Sequence, residues 1–274
     1  MTSILLMLLL SVIRAQPVPP APSCPASCVV CSEDAVIYAP DTTQALLLTE
    51  GSISTVQPAA LSDLSNITVI GLSHNHISVL GEQSFRNLPF LHTLLLDHNL
   101  LTSQALQGGA LTNLTHLEVL ALGHNLISMI QGGWLKGSKA LRSLKLEGNL
   151  LTSLDSGSFP LNDLKALESL DLSDNLIDHL ERNSFSGLVS LQTLDLSRNR
   201  LSTAPAEAFS YLSWLTNLNL DFNSWNCSCQ LLELAAFLST FIQEPDKVQF
   251  FFIPFNPVQC SFTCSRNCHI KIND

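Results

Sequence analysis

The chain has 274 residues, of which only 13% are charged, and its formal net charge is −10. Its length allows one large domain or two small ones, and its charged fraction is about half of the usual share. Because the sequence contains no cluster of Lys and Arg, nucleic acid, heparin and anionic membranes are disfavoured as partners.

The first predicted element is a signal peptide over residues 1–15. Its apolar run, Ile4 to Ile13, has the length of a signal-peptide core. A disordered apolar terminus is the alternative. No apolar run in the chain reaches the roughly eighteen residues that a membrane helix needs, so no membrane insertion is expected for this chain. The expected location is therefore secreted, or the extracellular side of the plasma membrane in a longer form.

Residues 16–42 form a Pro-rich segment and a first cysteine cluster, and a second cluster falls within residues 226–274. No cysteine lies in the long stretch between the clusters. Such grouping indicates disulfides at both ends of a repeat array in an oxidising compartment, whereas the first cluster alone would also allow a zinc site. The cysteines are Cys24, Cys28, Cys31, Cys227, Cys229, Cys260, Cys264 and Cys268.

Residues 43–225 are dominated by an internal repeat. The pattern L-x-x-L-x-L-x-x-N-x-L recurs, and from Gly51 onward its Asn-type positions lie 24, 24, 26, 24, 26, 24 and 24 residues apart. The short L-x-L piece alternates like a strand, so about eight coils should pair their strands into one parallel sheet. The recurring amides should stack as a ladder that satisfies buried loop groups. They are Asn75, Asn99, Asn125, Asn149, Asn175, Asn199 and Asn223.

The repeats and their flanks resemble the extracellular leucine-rich-repeat families, closest to ectodomains of single-pass leucine-rich-repeat membrane proteins. The flanking motifs are Cys24-Pro25-x-x-Cys28-x-x-Cys31 and Asn223-x-Trp225-x-Cys227-x-Cys229. The resemblance implies an α/β-type repeat solenoid, a horseshoe with a parallel concave sheet and Cys-rich caps at both ends. It also implies a Cys24–Cys31 bridge, and bridges from Cys227 and Cys229 to two of the three later cysteines.

The sequence departs from the family pattern in both caps. Tyr38 stands where the fourth cysteine of the first cap is expected, which would leave Cys28 unpaired. The second cap becomes atypical after about residue 240, where an apolar block begins at Phe250. An odd cysteine in each cluster makes a disulfide-linked homodimer possible.

Outward positions on the concave strands are the candidate partner-binding residues. Those in the amino-terminal half are largely apolar, and those in the carboxy-terminal half are polar. This pattern allows either a binding patch or residues that merely favour the strand. The set comprises Leu47, Val69, Thr93, Leu95, Val119, Ala121, Lys145, Asp171 and Asp195. His74, His98 and His124 should form a short ladder, which would titrate, chelate a metal or simply be solvated.

Other sites have simpler interpretations. Asn66 and Asn113 begin plausible N-glycosylation sequons, whereas the Asn226 sequon has a cap cysteine at its centre. The sequence has no catalytic motif, and an open sheet face offers no pocket to perturb a carboxylate. No enzyme activity, cofactor or metal is therefore expected.

The leading hypothesis is an extracellular module that binds another protein through its concave face, in adhesion or receptor-type recognition. The alternatives are a soluble decoy or truncated isoform of a membrane leucine-rich-repeat receptor, and a structural protein of the extracellular matrix.

Overall fold

The structure, a computed structural model, describes residues 12–14, 28–32, 35–38, 43–58, 60–61, 64–226, 233–237 and 251–252. Its elements are short, because a strand in each coil is followed at once by a turn. In chain order they are β1 (Val12–Arg14), β2 (Cys28–Ser32), β3 (Ala35–Tyr38), β4 (Ala45–Leu47), β5 (Thr55–Val56), β6 (Val69–Gly71), β7 (Val79–Leu80), β8 (Thr93–Leu95), α1 (Ser103–Leu106), β9 (Val119–Ala121), a 3₁₀ turn (Gly132–Leu135), β10 (Ser143–Lys145), β11 (Ser153–Leu154), β12 (Ser169–Asp171), β13 (His179–Leu180), β14 (Thr193–Asp195), α2 (Ala206–Phe209), β15 (Asn217–Asn219) and β16 (Phe251–Phe252).

The main sheet is parallel and has one strand per coil. Its order is β1-β4-β6-β8-β9-β10-β12-β14-β15-β16, so eight neighbouring strands from β4 to β15 enclose seven turns of the solenoid. Each strand pairs in register with the equivalent residues of the next coil, as in Leu94↔Leu120. The predicted repeat solenoid with a parallel sheet is therefore confirmed.

Strands outside the repeats extend the sheet or stand beside it. The strand β1 lies within the predicted signal peptide and pairs with β4, and β16 lies in the atypical carboxy-terminal segment and pairs with β15. Strands β2 and β3 form an antiparallel pair in which Cys28 is opposite Tyr38. Tyr38 thus occupies the place across from Cys28 where the family pattern would put a cysteine.

The core consists of aligned apolar columns. The central residue of each of the eight repeat strands, from Leu46 to Leu218, is at most 2% exposed. Behind the sheet, the Phe159 and Phe185 rings stack with centroids 6.3 Å apart, and the Phe209 ring is tilted against Phe185 with centroids 5.9 Å apart. After the last coil, residues 233–237 are helical, with Leu234 fully buried and Phe237 packed against the core. Each coil thus buries its apolar side chains against its neighbours.

The seven recurring asparagines connect each coil to the one before it. In every case the side-chain amide nitrogen donates to a carbonyl of the preceding coil at 2.7–3.0 Å. The amide oxygen accepts a backbone N–H of the preceding coil at 2.9–3.1 Å. The turn that follows each strand therefore hides no unsatisfied backbone group at these positions.

Candidate functional site

The concave face is built from the outward residues that flank each buried strand centre. Strand register places Leu47, Gly71, Leu95, Ala121 and Lys145 in one row across five neighbouring coils. The parallel row before it contains Val69, Thr93 and Val119. All of these except Gly71, Ala121 and Lys145 are half-buried, and Lys145 is exposed. The structure thus brings the predicted apolar candidates together on adjacent strands.

Ala121 corrects one expectation for this face. It points outward on its strand but is only 3% exposed. Its methyl group lies in register between the longer side chains of Leu95 and Lys145, which explains why it offers a partner little surface. Sequence analysis did not single out Gly71, which lies in the same row. A Cβ at this position would be 2.7 Å from Leu47 Cδ2, so the glycine makes room for the Leu47 side chain.

The carboxy-terminal half of the face is polar and internally hydrogen-bonded. One carboxylate oxygen of Asp171 accepts from the backbone and hydroxyl of Ser173 at 3.0 and 2.7 Å. Asp195 accepts from the Ser197 backbone at 2.8 Å and from the Asn219 amide at 3.0 Å. These aspartates therefore also stabilise the turn after the strand. An Asp at the end of a strand can accept the backbone N–H two residues later, so its place in the sequence could have indicated this role.

Glu147 occupies a notch in this polar half. Its carboxylate lies over Gly123, where a Cβ would be 2.5 Å from Oε1. Its Oε2 is buried and has no hydrogen-bond partner among the described residues. Burial raises the pKa of Glu147, and Asp171 and Asp97 raise it further, against the opposing effects of its own backbone N–H and Lys145. The folded chain thus ionises this carboxyl group less readily than an exposed glutamate.

The histidine column borders the concave face on the side where the chain leaves each strand. The rings of His74 and His98 stack at 4.2 Å, and those of His98 and His124 stack at 4.3 Å. The backbone at all three has a positive φ, between 52° and 57°, and a Cβ at Gly148 in the next coil would be 2.4 Å from the His124 ring. Burial lowers the pKa of His98, and the neighbouring histidines lower it further, against Asp97. The neutral form of the His98 ring is therefore favoured.

The same column continues into charged residues. Asp174 and Arg198 follow Gly148 in successive coils, also with positive φ, and form an exposed ion pair at 4.0 Å. The Arg198 guanidinium lies 5.2 Å from the ring centroid of Phe222, which is 73% exposed. In the parts of the chain that the structure describes, no group of three or more His, Cys, Asp or Glu is arranged to hold a metal ion.

An exposed row of leucines lies beside the histidine column, and sequence analysis missed it. Leu100, Leu126 and Leu150 directly follow the ladder asparagines, and each is 42% exposed. Leu176 continues the row and is half-buried. The available signal was the recurring Leu at the position after Asn, which a solvated turn would not require.

The predicted sequons and cysteines fall elsewhere. Asn66 and Asn113 are both exposed on the segments that return to the strands. Asn113 has a positive φ of 59° and helps to line a groove of about 850 Å³ between two coils, with Arg86 and His116. The side chains of all eight cysteines lie outside the described residues, so their pairing stays a prediction. Within the described ranges, no helix combines the length and apolar character needed to cross a bilayer.

Comparison with known proteins relates this architecture to a family. A family model for the leucine rich repeat matches residues 42–101, 103–151, 148–201 and 165–224. Leucine-rich repeat-containing protein 53 from Homo sapiens is 38% identical over 92 residues, which are 31% of this chain and 7% of that protein. The Macaca fascicularis protein of the same name is 38% identical over 92 residues, 31% of this chain and 18% of that protein. The similar region is therefore a small part of either relative.

A solved structure shares the fold. A chain of the crystal structure of the TLR13–ssRNA13 complex matches with a TM-score of 0.63 and 34% sequence identity, over 68% of this chain and 26% of that chain.

Proposed function

Because the chain belongs to the leucine-rich-repeat family, we propose that it is an extracellular module that binds another protein through the amino-terminal half of its concave face. Leucine-rich-repeat solenoids typically serve as protein-binding scaffolds and receptor ectodomains rather than enzymes. The observation that carries the proposal is the apolar patch formed by Leu47, Val69, Leu95 and Val119 on adjacent strands.

The patch has the physical character of a recognition surface. Parallel sheets are usually covered on both faces, whereas here the outward face lies open and its apolar side chains are half-buried. Contiguous exposed apolar surface on a soluble protein marks an interaction site more often than scattered single residues do. Lys145 and Asp171, which lie beside the patch, would supply the polar contacts that give selectivity.

The test is a screen of the full chain, fused to a multimerising tag, against an array of cell-surface and secreted proteins. Leu95→Asp and Val119→Asp should weaken binding to any partner found by about tenfold or more, because a carboxylate would be desolvated within the contact. Leu161→Asp is the matched control, since Leu161 is 56% exposed on a return segment. Equal binding by all variants would contradict the proposal, and unfolding of Leu95→Asp would show that Leu95 belongs to the core.

The extracellular part of the proposal rests on the apolar amino-terminal run, the clustered cysteines and the two exposed sequon asparagines. In a secreting cell line, we expect the tagged chain in the medium with N-linked glycans. Asn66→Gln and Asn113→Gln should each remove one glycosidase-sensitive step in gel mobility. Retention of the unglycosylated chain in the cytosol would contradict this location.

A further inference from the structure

The row of exposed leucines has a geometry that repeats from coil to coil. The backbone N–H of Leu100, Leu126, Leu150 and Leu176 each donates to the preceding coil at 2.9 Å. These bonds place one leucine per coil in a straight file, with steps of about 4.8 Å. Leu126 lies between Leu100 and Leu150, the other two exposed leucines of the file, so the most exposed part of the file is centred on the fourth coil.

A column of charged, histidine and aromatic residues flanks the file, and part of this column is complementary to its own reverse order. The column beside the leucines contains Glu50, His74, His98, His124, Gly148, Asp174, Arg198 and Phe222, one in each successive coil. If the order is inverted about the coil of His124, Glu50 falls opposite Arg198 and His74 falls opposite Asp174, while Phe222 of the eighth coil extends beyond the paired stretch. Leu100 falls opposite Leu150, and Leu126 meets its own equivalent.

We propose that this edge is the interface of a two-fold symmetric homodimer, in which two copies pack their leucine files in antiparallel order about Leu126. A symmetric interface must use one surface that is complementary to itself, and the edge has an apolar centre with Glu50 towards one end and the Asp174–Arg198 ion pair towards the other. The Glu50–Arg198 contact occurs twice in such a dimer, once on each side of the axis. The proposal does not depend on the function of the concave face.

The surroundings of the edge are compatible with a second copy. The remaining charged groups near the column are Asp97, Glu147, Asp178 and Asp221, with His76 and Arg200 in the leucine row itself. In the antiparallel dimer, His98 of one copy would lie near Glu147 of the other, and an imidazole does not repel a carboxyl group. The exposed sequon asparagines, Asn66 and Asn113, lie on return segments that lead into the strands, whereas the leucines follow the strands. Glycans at those positions would therefore leave this edge open.

Sedimentation velocity of the secreted full chain over a range of concentrations tests the proposal. Wild type should form a reversible dimer, and Leu126→Asp should weaken it by about a hundredfold or more, because each substitution places two carboxylates at the axis. Leu161→Asp is again the control and should leave the dimer intact. Sodium dodecyl sulfate separates this dimer from a disulfide-linked one, which survives on a non-reducing gel.

Charge reversal makes the test specific to the antiparallel arrangement. Glu50→Arg and Arg198→Glu should each weaken the dimer, and the double variant should restore it, since the contact is merely inverted. Circular dichroism checks that each variant is folded. Specific dimers dissociate with constants below about 100 µM. A wild-type chain that stays monomeric at that concentration would therefore overturn the proposal. Failure of the double variant to recover would also overturn it.

Discussion

At Asn149 a single amide joins two neighbouring coils. Its nitrogen donates to the carbonyls of Leu122 and Leu146 at 2.9 and 3.0 Å, and its oxygen accepts the Ile127 N–H at 3.0 Å. Asn149→Ala would leave these buried backbone groups without partners, so we expect the free energy of unfolding to fall by about 1–3 kcal/mol. Urea denaturation measures this, and Asn162→Ala, at an exposed position, is the control. Equal losses for both variants would argue against the ladder as a stabilising feature.

The half-buried Glu147 should make stability depend on pH. Burial raises its pKa in the folded state above the ordinary value, so the folded state binds the proton more tightly than the unfolded state. Stability linked to this group is therefore present below the unfolded pKa and is lost as pH rises through the folded pKa. Glu147→Gln should raise the melting temperature at pH 7, with a gain that shrinks as pH falls towards about 4.3.

Glu82→Gln, at an exposed position, controls for the loss of one negative charge in this comparison. Melts of both variants and wild type between acidic and neutral pH measure the effect. A Glu147→Gln gain that is equal at all pH values would show that packing, and not the ionisation of the carboxylate, is the cause.

Within the elements, Phe185 lies at the centre of the aromatic column. It is fully buried between Phe159 and Phe209, which belong to the coils on either side. Phe185→Ala would open a cavity that three coils line, and we expect a loss of about 3–5 kcal/mol in stability. Phe90→Ala, at a residue that is 53% exposed, should cost far less. A similar cost for both would mean that the column can collapse around the missing ring.

The sequence predicts the elements well because the repeat spacing reports which residues share a column. Leu94 and Leu120 are 26 residues apart in the chain, yet the pattern alone aligns them on neighbouring strands, as the register shows. The exposure of an outward residue is harder to predict, since it depends on the size of side chains one coil away. Ala121 is buried for this reason.

The repeat pattern also does not predict how side chains are arranged along the edges of the coils. The stacking of His74, His98 and His124 depends on a left-handed backbone at each residue, which the one-letter pattern does not encode. The pairing of β1 and β16 with the ends of the sheet involves segments that lack the repeat, so no periodicity predicts their register.

For the whole molecule, the parity of the cysteines gives a prediction. The chain has three cysteines before the repeats and five after them. Seven steps of about 4.8 Å separate the strands at the two ends, far beyond the roughly 7 Å that a disulfide tolerates between α-carbons. Each cluster therefore leaves one sulfur unpaired within a monomer, and we expect Cys28 to be one of them.

A secreted product should consequently run partly as a dimer on a non-reducing gel and as a monomer after reduction. Cys28→Ser should lower the dimer fraction, whereas Cys24→Ser, which would release Cys31 from its predicted partner, should not. A monomeric product in which alkylating reagents find no thiol would contradict this pairing.

The asparagine ladder also determines how the molecule would respond to tension. Because every ladder amide bonds to the coil before it, a pull on the carboxy-terminal end loads one junction at a time. Each junction that gives way would release a coil of 24 or 26 residues. Such a coil extends to roughly 80 Å at about 3.4 Å per residue. The chain would then lengthen in discrete steps, one coil at a time. The amino-terminal apolar patch would stay folded until the last coils unfold.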